Sequence, residues 1–306
     1  MADFAVVCPG QGAQHRGMFQ FALDHGPGRT VLALFSEALQ IDIPKLAAEG
    51  TRLAENSFAQ VTLVAAACAN WAVLSGSAPA PSLIAGYSTG EVSAWSCAGV
   101  WDAQGSAEVC LARAKFMDEA APPNACMMAV LGPSVDSLMA LCDEPDLYLS
   151  IVNDVDHAVV AGLRASVERA QCKLEARGAW TRILDVQVPS HTPLLSSAAI
   201  NFERWLRNRS NRRPKFPVLS GVSGQRCRDP LLGMTLLARA INEPIDWAAC
   251  MTAITEAGTR VVLEIGPGRA LSNLIAQRNP NLQVRSLDDF RSLEGVCRWI
   301  ESRLDY

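Results

Sequence analysis

Short apolar runs alternate along the chain with longer apolar stretches of helical length. Residues 4–8 are apolar throughout and are followed by a glycine-rich segment at 9–12, which predicts a buried strand entering a tight loop. Residues 57–74 show sustained apolarity over helical length and predict a core helix, and residues 82–85 predict a second short strand that ends at Gly86. This alternation is typical of an α/β fold.

A different order of elements occupies residues 125–188. The apolar pattern there predicts strand, helix, strand, strand, helix and strand at residues 127–131, 135–142, 147–152, 157–161, 166–177 and 181–186. This order is the ferredoxin-like pattern, and we predict a small subdomain at 125–188 inserted into a larger α/β domain of residues 1–124 and 189–306. The larger domain is expected to hold helices at 89–98, 103–120, 192–209, 231–241, 247–257 and 270–277, and strands at 218–221 and 261–265.

Composition and charge exclude several classes of function. The chain has 306 residues, 49% of them hydrophobic, and a net charge of −4, which speaks against a nucleic-acid partner. The chain begins without a signal-peptide pattern, and the apolar stretch 61–74 is expected to be too short and too polar to cross a bilayer. The ten cysteines form no Cys-x-x-Cys pair, and neither metal-ligand spacing nor a phosphate-loop ending is found. We therefore expect a cytoplasmic protein with free thiols, no metal and no cofactor.

The strongest chemical signal is Gly86-Tyr87-Ser88-Thr89-Gly90, a Gly-x-Ser-x-Gly sequence between a predicted strand and a predicted helix. In a nucleophile elbow, both glycines are needed because the turn is tight, and the serine projects at the carboxyl end of the strand. The N–H group of Thr89 would then face a developing oxyanion. A Gly-Ser-Gly turn without catalysis is the alternative.

A nucleophilic serine needs a base, and His191 lies where the small subdomain returns to the larger one, at a predicted cleft. The other three histidines are weaker candidates: His157 falls in a predicted strand, His25 in a polar loop, and His15 near the glycine-rich loop.

An acid that would orient His191 is not evident. The candidates Asp143, Asp154 and Asp185 fall in the small subdomain, away from the expected strand end. A backbone carbonyl can hold the imidazole tautomer instead.

Five segments are spread over nearly the whole chain: Pro9-Gly10-Gln11-Gly12-Ala13-Gln14, Gly86-Tyr87-Ser88-Thr89-Gly90-Glu91, Arg113-Ala114-Lys115-Phe116-Met117, Val188-Pro189-Ser190-His191 and Glu264-Ile265-Gly266-Pro267-Gly268. Together they resemble the malonyl-CoA:acyl carrier protein transacylase family. The resemblance implies an α/β fold with a hydrolase-like core around a parallel sheet and an inserted ferredoxin-like subdomain. It also implies that Ser88 is the nucleophile and His191 the general base, that Gln11 and Thr89 supply the oxyanion N–H groups, and that Arg113 holds the malonyl carboxylate.

The same resemblance assigns Gln60 a place near the active site and Asn153 a place in the cleft. Two positions depart from the family pattern: Tyr87 stands where the family usually has histidine, and Ala240 aligns with a glutamine whose carbonyl orients the base. Ser190 is small, which is similar to the malonyl-selective pattern.

The implied function is transfer of a malonyl group from malonyl-CoA to an acyl carrier protein through a malonyl-serine intermediate. A guanidinium suits this role because it binds a carboxylate through two parallel charge-assisted hydrogen bonds. A serine thioesterase or esterase and a non-catalytic acyl-binding subunit are the alternatives. The Gly-Tyr-Ser variant resembles the transacylase (epsilon) subunit of malonate decarboxylase about as well as an enzyme of fatty acid or polyketide synthesis.

A docking hypothesis follows from charge, because acyl carrier proteins are usually acidic. The densest positive run in the sequence is Arg204, Arg207, Arg209, Arg212, Arg213 and Lys215. A solvated helix end is the alternative interpretation of this run.

Overall fold

Two β-sheets organise the computed structural model, which describes residues 3–141, 144–186 and 188–304. Its strands are β1 (Phe4–Cys8), β2 (Leu83–Gly86), β3 (Ala125–Leu131), β4 (Leu147–Asp154), β5 (His157–Leu163), β6 (Trp180–Ile183), β7 (Val218–Leu219), β8 (Arg226–Cys227), β9 (Ile245–Asp246), β10 (Val261–Glu264) and β11 (Gln283–Ser286).

The helices surround these sheets. They are α1 (Gln20–Leu23), α2 (Gly26–Leu39), α3 (Ile43–Glu49), α4 (Asn56–Leu74), α5 (Gly90–Cys97), α6 (Ala103–Ala120), α7 (Val135–Leu141), α8 (Arg164–Glu175), α9 (Ser196–Arg207), α10 (Pro230–Arg239), α11 (Trp247–Glu256), α12 (Ala270–Arg278) and α13 (Leu293–Leu304), with short 3₁₀ helices at Pro193–Leu195 and Leu287–Asp289.

The larger sheet has the strand order β11-β10-β1-β2-β7-β8, and only the β7–β8 pair is antiparallel. Side chains alternate between its faces, as strand geometry requires. Val6 and Leu263 pack into the core beneath α4 and α6, whereas Val7 and Val262 pack with Trp247 on the opposite face. Both faces are therefore covered, which explains why β1 is apolar at every position. The predicted α/β fold with a hydrolase-like core is confirmed.

The smaller sheet has the order β6-β3-β5-β4-β9. Its first four strands pair antiparallel in the ferredoxin-like arrangement, and α7 and α8 accompany them. The sequence did not predict the fifth strand: β9 pairs in parallel with β4 at Ile151 and Val152. Because β9 follows the predicted insertion by about sixty positions, the small sheet is continued by the larger part of the chain. The boundaries 124/125 and 188/189 stay a prediction, as does the end of a helix at residue 142, which lies outside the described residues.

Helix α4 corrects one expectation. It has 19 residues and a mean hydropathy of 1.5, so its length and composition would allow it to cross a membrane. The core helix predicted at 57–74 agrees with α4, but the expectation that it is too short and too polar for a bilayer was wrong because it considered residues 61–74 alone. In the structure 78% of its apolar window is buried, and it packs against α2, α5 and α6 as the central core helix.

Some elements gave no readable signal in the sequence. Strands β8 and β9 have two residues each, too short for any periodicity. Helix α2 begins with Gly26-Pro27-Gly28, a combination that favours a loop. Here Pro27 occupies the first turn, where its missing N–H costs nothing, and Gly28 lies so close to Ala22 that a Cβ would overlap the Ala22 carbonyl.

Candidate active site

Ser88 lies on a sharp turn between β2 and α5, with a left-handed φ of +56°. The flanking glycines are required by close backbone approaches: a Cβ at Gly86 would overlap the carbonyl of Gly90, and a Cβ at Gly90 would overlap the carbonyl of Cys8. The turn therefore holds Ser88 at the carboxyl end of the larger sheet, as the nucleophile-elbow motif predicts.

His191 meets this serine across 103 positions of sequence. Its Nε2 lies 2.8 Å from Ser88 Oγ, and its ring is fully buried. The main-chain N–H of His191 donates to the Ile241 carbonyl at 2.8 Å, and Nδ1 is hydrogen-bonded to the Ala240 carbonyl. Because a carbonyl can only accept, Nδ1 carries the proton and Nε2 presents its lone pair to the serine.

Electrostatics favour the neutral form of this base. Burial and the positive charge of Arg113 lower the pKa of His191 to about 3, against the opposing effect of the Ala240 carbonyl. At neutral pH the imidazole is unprotonated and can accept the Ser88 proton.

In the described part of the chain, no carboxylate contacts the imidazole. Asp154 is ion-paired with Arg278, and Asp185 lines a cavity at the surface. Asp143, the third acid considered from the sequence, lies outside the described residues. The Ala240 carbonyl occupies the position that an acid holds in a Ser-His-Asp triad, so the swap of glutamine for alanine leaves that main-chain contact in place.

The remaining histidines lie away from Ser88. His15 Nε2 is 3.2 Å from Asp288 Oδ2, and His25 Nδ1 is 2.8 Å from the Phe21 carbonyl. His157 Nε2 is 3.3 Å from Asn153 Nδ2. None of these contacts gives a second base for the serine.

The loop after β1 passes beside the serine turn. Strands β1 and β2 pair in register at Cys8 and Gly86, so their following loops leave the sheet side by side. A Cβ at Gly10 would lie 3.3 Å from the Ser88 Cβ, which shows how closely this loop passes. Among the described residues, the N–H groups of Gln11 and Thr89 donate to no acceptor, so both are available to an oxyanion.

Arg113 extends from α6 into the same site. It is only 1% exposed, and its Nη1 donates to Gln60 Oε1 at 2.7 Å and to Thr89 Oγ1 at 3.2 Å. Its Nε is buried without an acceptor, and no carboxylate of the described residues lies within ion-pair distance of the guanidinium. Burial, opposed by the charge of Glu91, lowers the pKa of Arg113 to about 10, so the group is still a cation at neutral pH.

Asn153 reaches the site from β4 of the smaller sheet. The hydroxyl of Tyr87 donates to Asn153 Oδ1 at 3.0 Å, and the Tyr87 ring packs edge-on against Trp247 with 5.4 Å between centroids. The tyrosine that departs from the family pattern thus connects the serine turn to the smaller sheet. Burial raises the pKa of Tyr87, which keeps its hydroxyl protonated and able to donate.

Two polar residues beside the site were missed in the sequence. Asn56, the first residue of α4, accepts hydrogen bonds from both Gln11 and Gln60; its spacing of one helical turn from Gln60 was the available signal. Glu91, the second residue of α5, is fully buried and accepts the Gly221 N–H at 3.0 Å. Burial raises its pKa to about 7. The motif that contains Glu91 drew attention to its serine and not to its carboxylate.

A cavity of about 640 Å³ opens beside the loop that follows β1 and contains Gln11. Gln11, Asn56, Asp118 and Val188 contribute to its walls. In the three described segments no group of three or more His, Cys, Asp or Glu side chains could hold a metal ion. The available chemistry therefore comes from a serine, a neutral imidazole, free N–H groups and one buried cation.

The sequence and the fold are both similar to those of known acyltransferases. Residues 5–285 match the model of the acyl transferase domain family. The malonyl CoA-acyl carrier protein transacylase of Haemophilus influenzae is 31% identical over 309 residues, covering 97% of this chain and 98% of that protein.

Two solved structures show the same similarity. The crystal structure of malonyl-CoA:acyl carrier protein transacylase from Xanthomonas oryzae has a TM-score of 0.93 and 30% identity, covering 98% of both chains. A malonyl-transacylase in complex with its type II PKS acyl-carrier protein has a TM-score of 0.91 and 32% identity, covering 96% of this chain and 99% of that one.

Proposed function

This chain belongs to the acyl transferase domain family, and on that premise we propose that it transfers a malonyl group from malonyl-CoA to an acyl carrier protein. Ser88 is the proposed nucleophile and His191 the general base, with Gln11 and Thr89 as oxyanion donors. Relatives of similar length named for this reaction, and a similar transacylase solved in complex with its carrier, support the proposal.

One observation carries the choice of acyl group: the buried guanidinium of Arg113 has no carboxylate partner among the described residues. An unpaired buried cation is costly, and a ligand that supplies a carboxylate would offset that cost. The Nη1 atom already binds Gln60 and Thr89, whereas Nε has no acceptor. A malonyl carboxylate would accept from this second edge of the guanidinium, and an acetyl group has nothing to place there.

The first half-reaction loads the enzyme. His191 Nε2 takes the proton of Ser88 Oγ while the oxygen attacks the thioester carbonyl of malonyl-CoA. The Gln11 and Thr89 N–H groups stabilise the oxyanion, and its collapse breaks the carbon–sulfur bond. The imidazolium returns its proton to the departing CoA thiolate, which leaves a malonyl ester on Ser88.

The second half-reaction repeats these steps with the carrier. His191 takes the proton of the phosphopantetheine thiol, and the sulfur attacks the ester carbonyl of malonyl-Ser88. Collapse of the second oxyanion releases Ser88, which recovers its proton from the imidazolium. Ser88, His191, the malonyl-CoA thioester and the phosphopantetheine thiol account for every bond and proton, and the CoA thioester is a substrate rather than a cofactor.

We include a cytoplasmic location in the proposal, supported by the nine described cysteines, which are all free thiols. A role as the transacylase subunit of malonate decarboxylase stays a prediction. Comparing kcat/KM on a malonate decarboxylase carrier and on a fatty acid synthesis carrier would separate the two pathways.

The proposal is tested by intact-mass spectrometry of the full chain after mixing with malonyl-CoA. We expect one malonyl adduct on the wild type and on Ser75→Ala, an exposed-serine control, and none on Ser88→Ala. Adding carrier protein should move the adduct to its phosphopantetheine faster than water removes it. Release of free malonate without carrier loading would identify a thioesterase, and the absence of any adduct would reject the catalytic assignment.

A further inference from the structure

A continuous line of hydrogen bonds leads from Arg113 to Asp118, one and a half turns further along α6. Arg113 Nη1 donates to Gln60 Oε1 at 2.7 Å, and Gln60 Nε2 donates to Asn56 Oδ1 at 3.0 Å. Asn56 Nδ2 then donates to Asp118 Oδ1 at 2.7 Å. The three side-chain hydrogen bonds form one sequence of donors and acceptors: two of them cross between α4 and α6, and the Gln60–Asn56 bond lies within α4.

The chemistry of the two ends fixes the direction of every amide between them. A guanidinium can only donate, so the oxygen of Gln60 must face Arg113 and its NH₂ must face Asn56. Asn56 must then present its oxygen to Gln60 and its NH₂ to Asp118, whose carboxylate can only accept. Reversing either amide would oppose two donors or two acceptors, so this polarity is the one in which each of the three contacts joins a donor to an acceptor.

Asn56 also connects this line to the loop after β1, which contains Gln11. Gln11 Nε2 donates to Asn56 Oδ1 at 3.0 Å, so one amide oxygen accepts from Gln60 and from Gln11. Gln11 follows β1 in the loop that passes beside Ser88. The side chain of Gln11 is therefore anchored on α4 while its main-chain N–H remains unbonded within the described residues.

We propose that Asn56 is a positioning residue that, oriented by Asp118, holds the Gln60 oxygen on Arg113 and the Gln11 loop beside Ser88 in a single network. The inference rests on the proposed function, because its effects are measured on malonyl transfer. It assigns no substrate contact to Asn56: the residue acts through Gln60 on acid recognition and through Gln11 on the oxyanion site.

The two routes predict different kinetic effects of Asn56→Ala. Loss of the Gln11 anchor weakens a contact made in the transition state, so kcat should fall for malonyl-CoA and acetyl-CoA alike. Loss of the Gln60 anchor loosens Arg113, so KM should rise for malonyl-CoA only. We expect kcat/KM for malonyl-CoA to fall about tenfold, with a smaller loss for acetyl-CoA.

Exchanging the side chains of Asn56 and Asp118 provides a sharper test. Asn56→Asp still accepts from Gln11 and Gln60 but opposes the Asp118 carboxylate, and we expect about a tenfold loss. Asp118→Asn keeps an acceptor oxygen, with an expected loss of about two- to threefold. The double variant Asn56→Asp/Asp118→Asn restores a donor opposite an acceptor, and its acylation rate should return to within about threefold of the wild type.

The measurement is single-turnover malonylation of Ser88 with melting temperatures recorded in parallel, and Asn273→Ala, an exposed asparagine on α12, is the matched control. A double variant no faster than Asn56→Asp, or an Asn56→Ala variant equal to the wild type, would overturn the inference while leaving the proposed function intact. A wild-type chain that is never malonylated would instead overturn the proposed function.

Discussion

The two ends of helix α5 carry opposite arrangements of positive charge. At its N-terminal end, beside Ser88, one guanidinium is buried without a carboxylate partner among the described residues. At its C-terminal end, about 12 Å away by helical rise, lies the basic run between Arg204 and Lys215. The main-chain N–H of Lys215 donates to the Ala98 carbonyl at 2.8 Å, which fixes the run at this end.

Three of the six cations of the basic run form ion pairs within the described residues. Arg207 lies 2.8 Å from Glu203, Arg209 is paired with Glu108, and Arg212 lies 3.6 Å from Asp102. The Arg212 and Asp102 side chains are 65% and 64% exposed, and pairs of this kind contribute little energy.

The burial and ion pairing of a charge therefore indicate function better than the number of charges in a segment does. Six cations close together in sequence suggested a docking surface, yet three of them already form ion pairs and five of them are exposed. One arginine in a helical pattern suggested little by itself, yet its burial leaves it in need of an anion. Three experiments test whether the two ends of α5 differ in this way.

The largest effect is expected from Arg113→Ala. A buried malonyl carboxylate would lose its partner, and we expect kcat/KM for malonyl-CoA to fall about 100-fold or more, because breaking a buried pair costs about 3–5 kcal/mol. Hydrolysis-corrected acylation by acetyl-CoA should change little. Arg212→Ala is the matched control from the exposed end, and equal losses in the two variants would remove the distinction between the two ends.

The pH dependence of acylation measures the burial of the active-site end. An ordinary histidine base with a pKa of about 6.5 would lose about thirtyfold in kcat/KM between about pH 8 and about pH 5, because protonation removes its lone pair. Burial and Arg113 lower the pKa of His191, so the acid limb should move below this window and the rate should stay nearly flat. The check is single-turnover malonylation of Ser88 across this range. A limb centred near pH 6.5 would mean that water reaches the imidazole.

The smallest effect is expected at the exposed end. Reversing the charge at Arg212 and Arg213 should change the KM for carrier protein less than about twofold, because Arg212 is already paired with Asp102 and both residues lie at the far end of α5 from Ser88. The measurement is carrier-dependent KM at low and at physiological salt, with melting temperature as a check of folding. A rise of tenfold that disappears at high salt would restore the docking hypothesis.

Features that depend on neighbouring residues could be predicted from the sequence. The Gly-x-Ser-x-Gly turn, the strand before it and the helix after it follow from local sterics, and the βαββαβ order of the small sheet follows from local apolar pattern. Contacts that join distant segments could not be predicted from the sequence. They are the β4–β9 pairing, the Asn56 network, and the hydrogen bond between Tyr87 and Asn153. No periodicity within one element encodes which residue of another element it will meet.

By itself, the sequence determined the architecture and the chemical types at the site, because backbone sterics and side-chain patterns act over a few residues. The tertiary contacts set the protonation state of His191 and the ion pairing of Arg113. Burial, which brings together elements as far as 103 positions apart, makes His191 a neutral base and leaves Arg113 a cation without a carboxylate partner in the described chain. The Ala240 carbonyl accepts the hydrogen bond that the protonated Nδ1 of His191 donates. The low dielectric that produces these effects exists only once the core has closed around them.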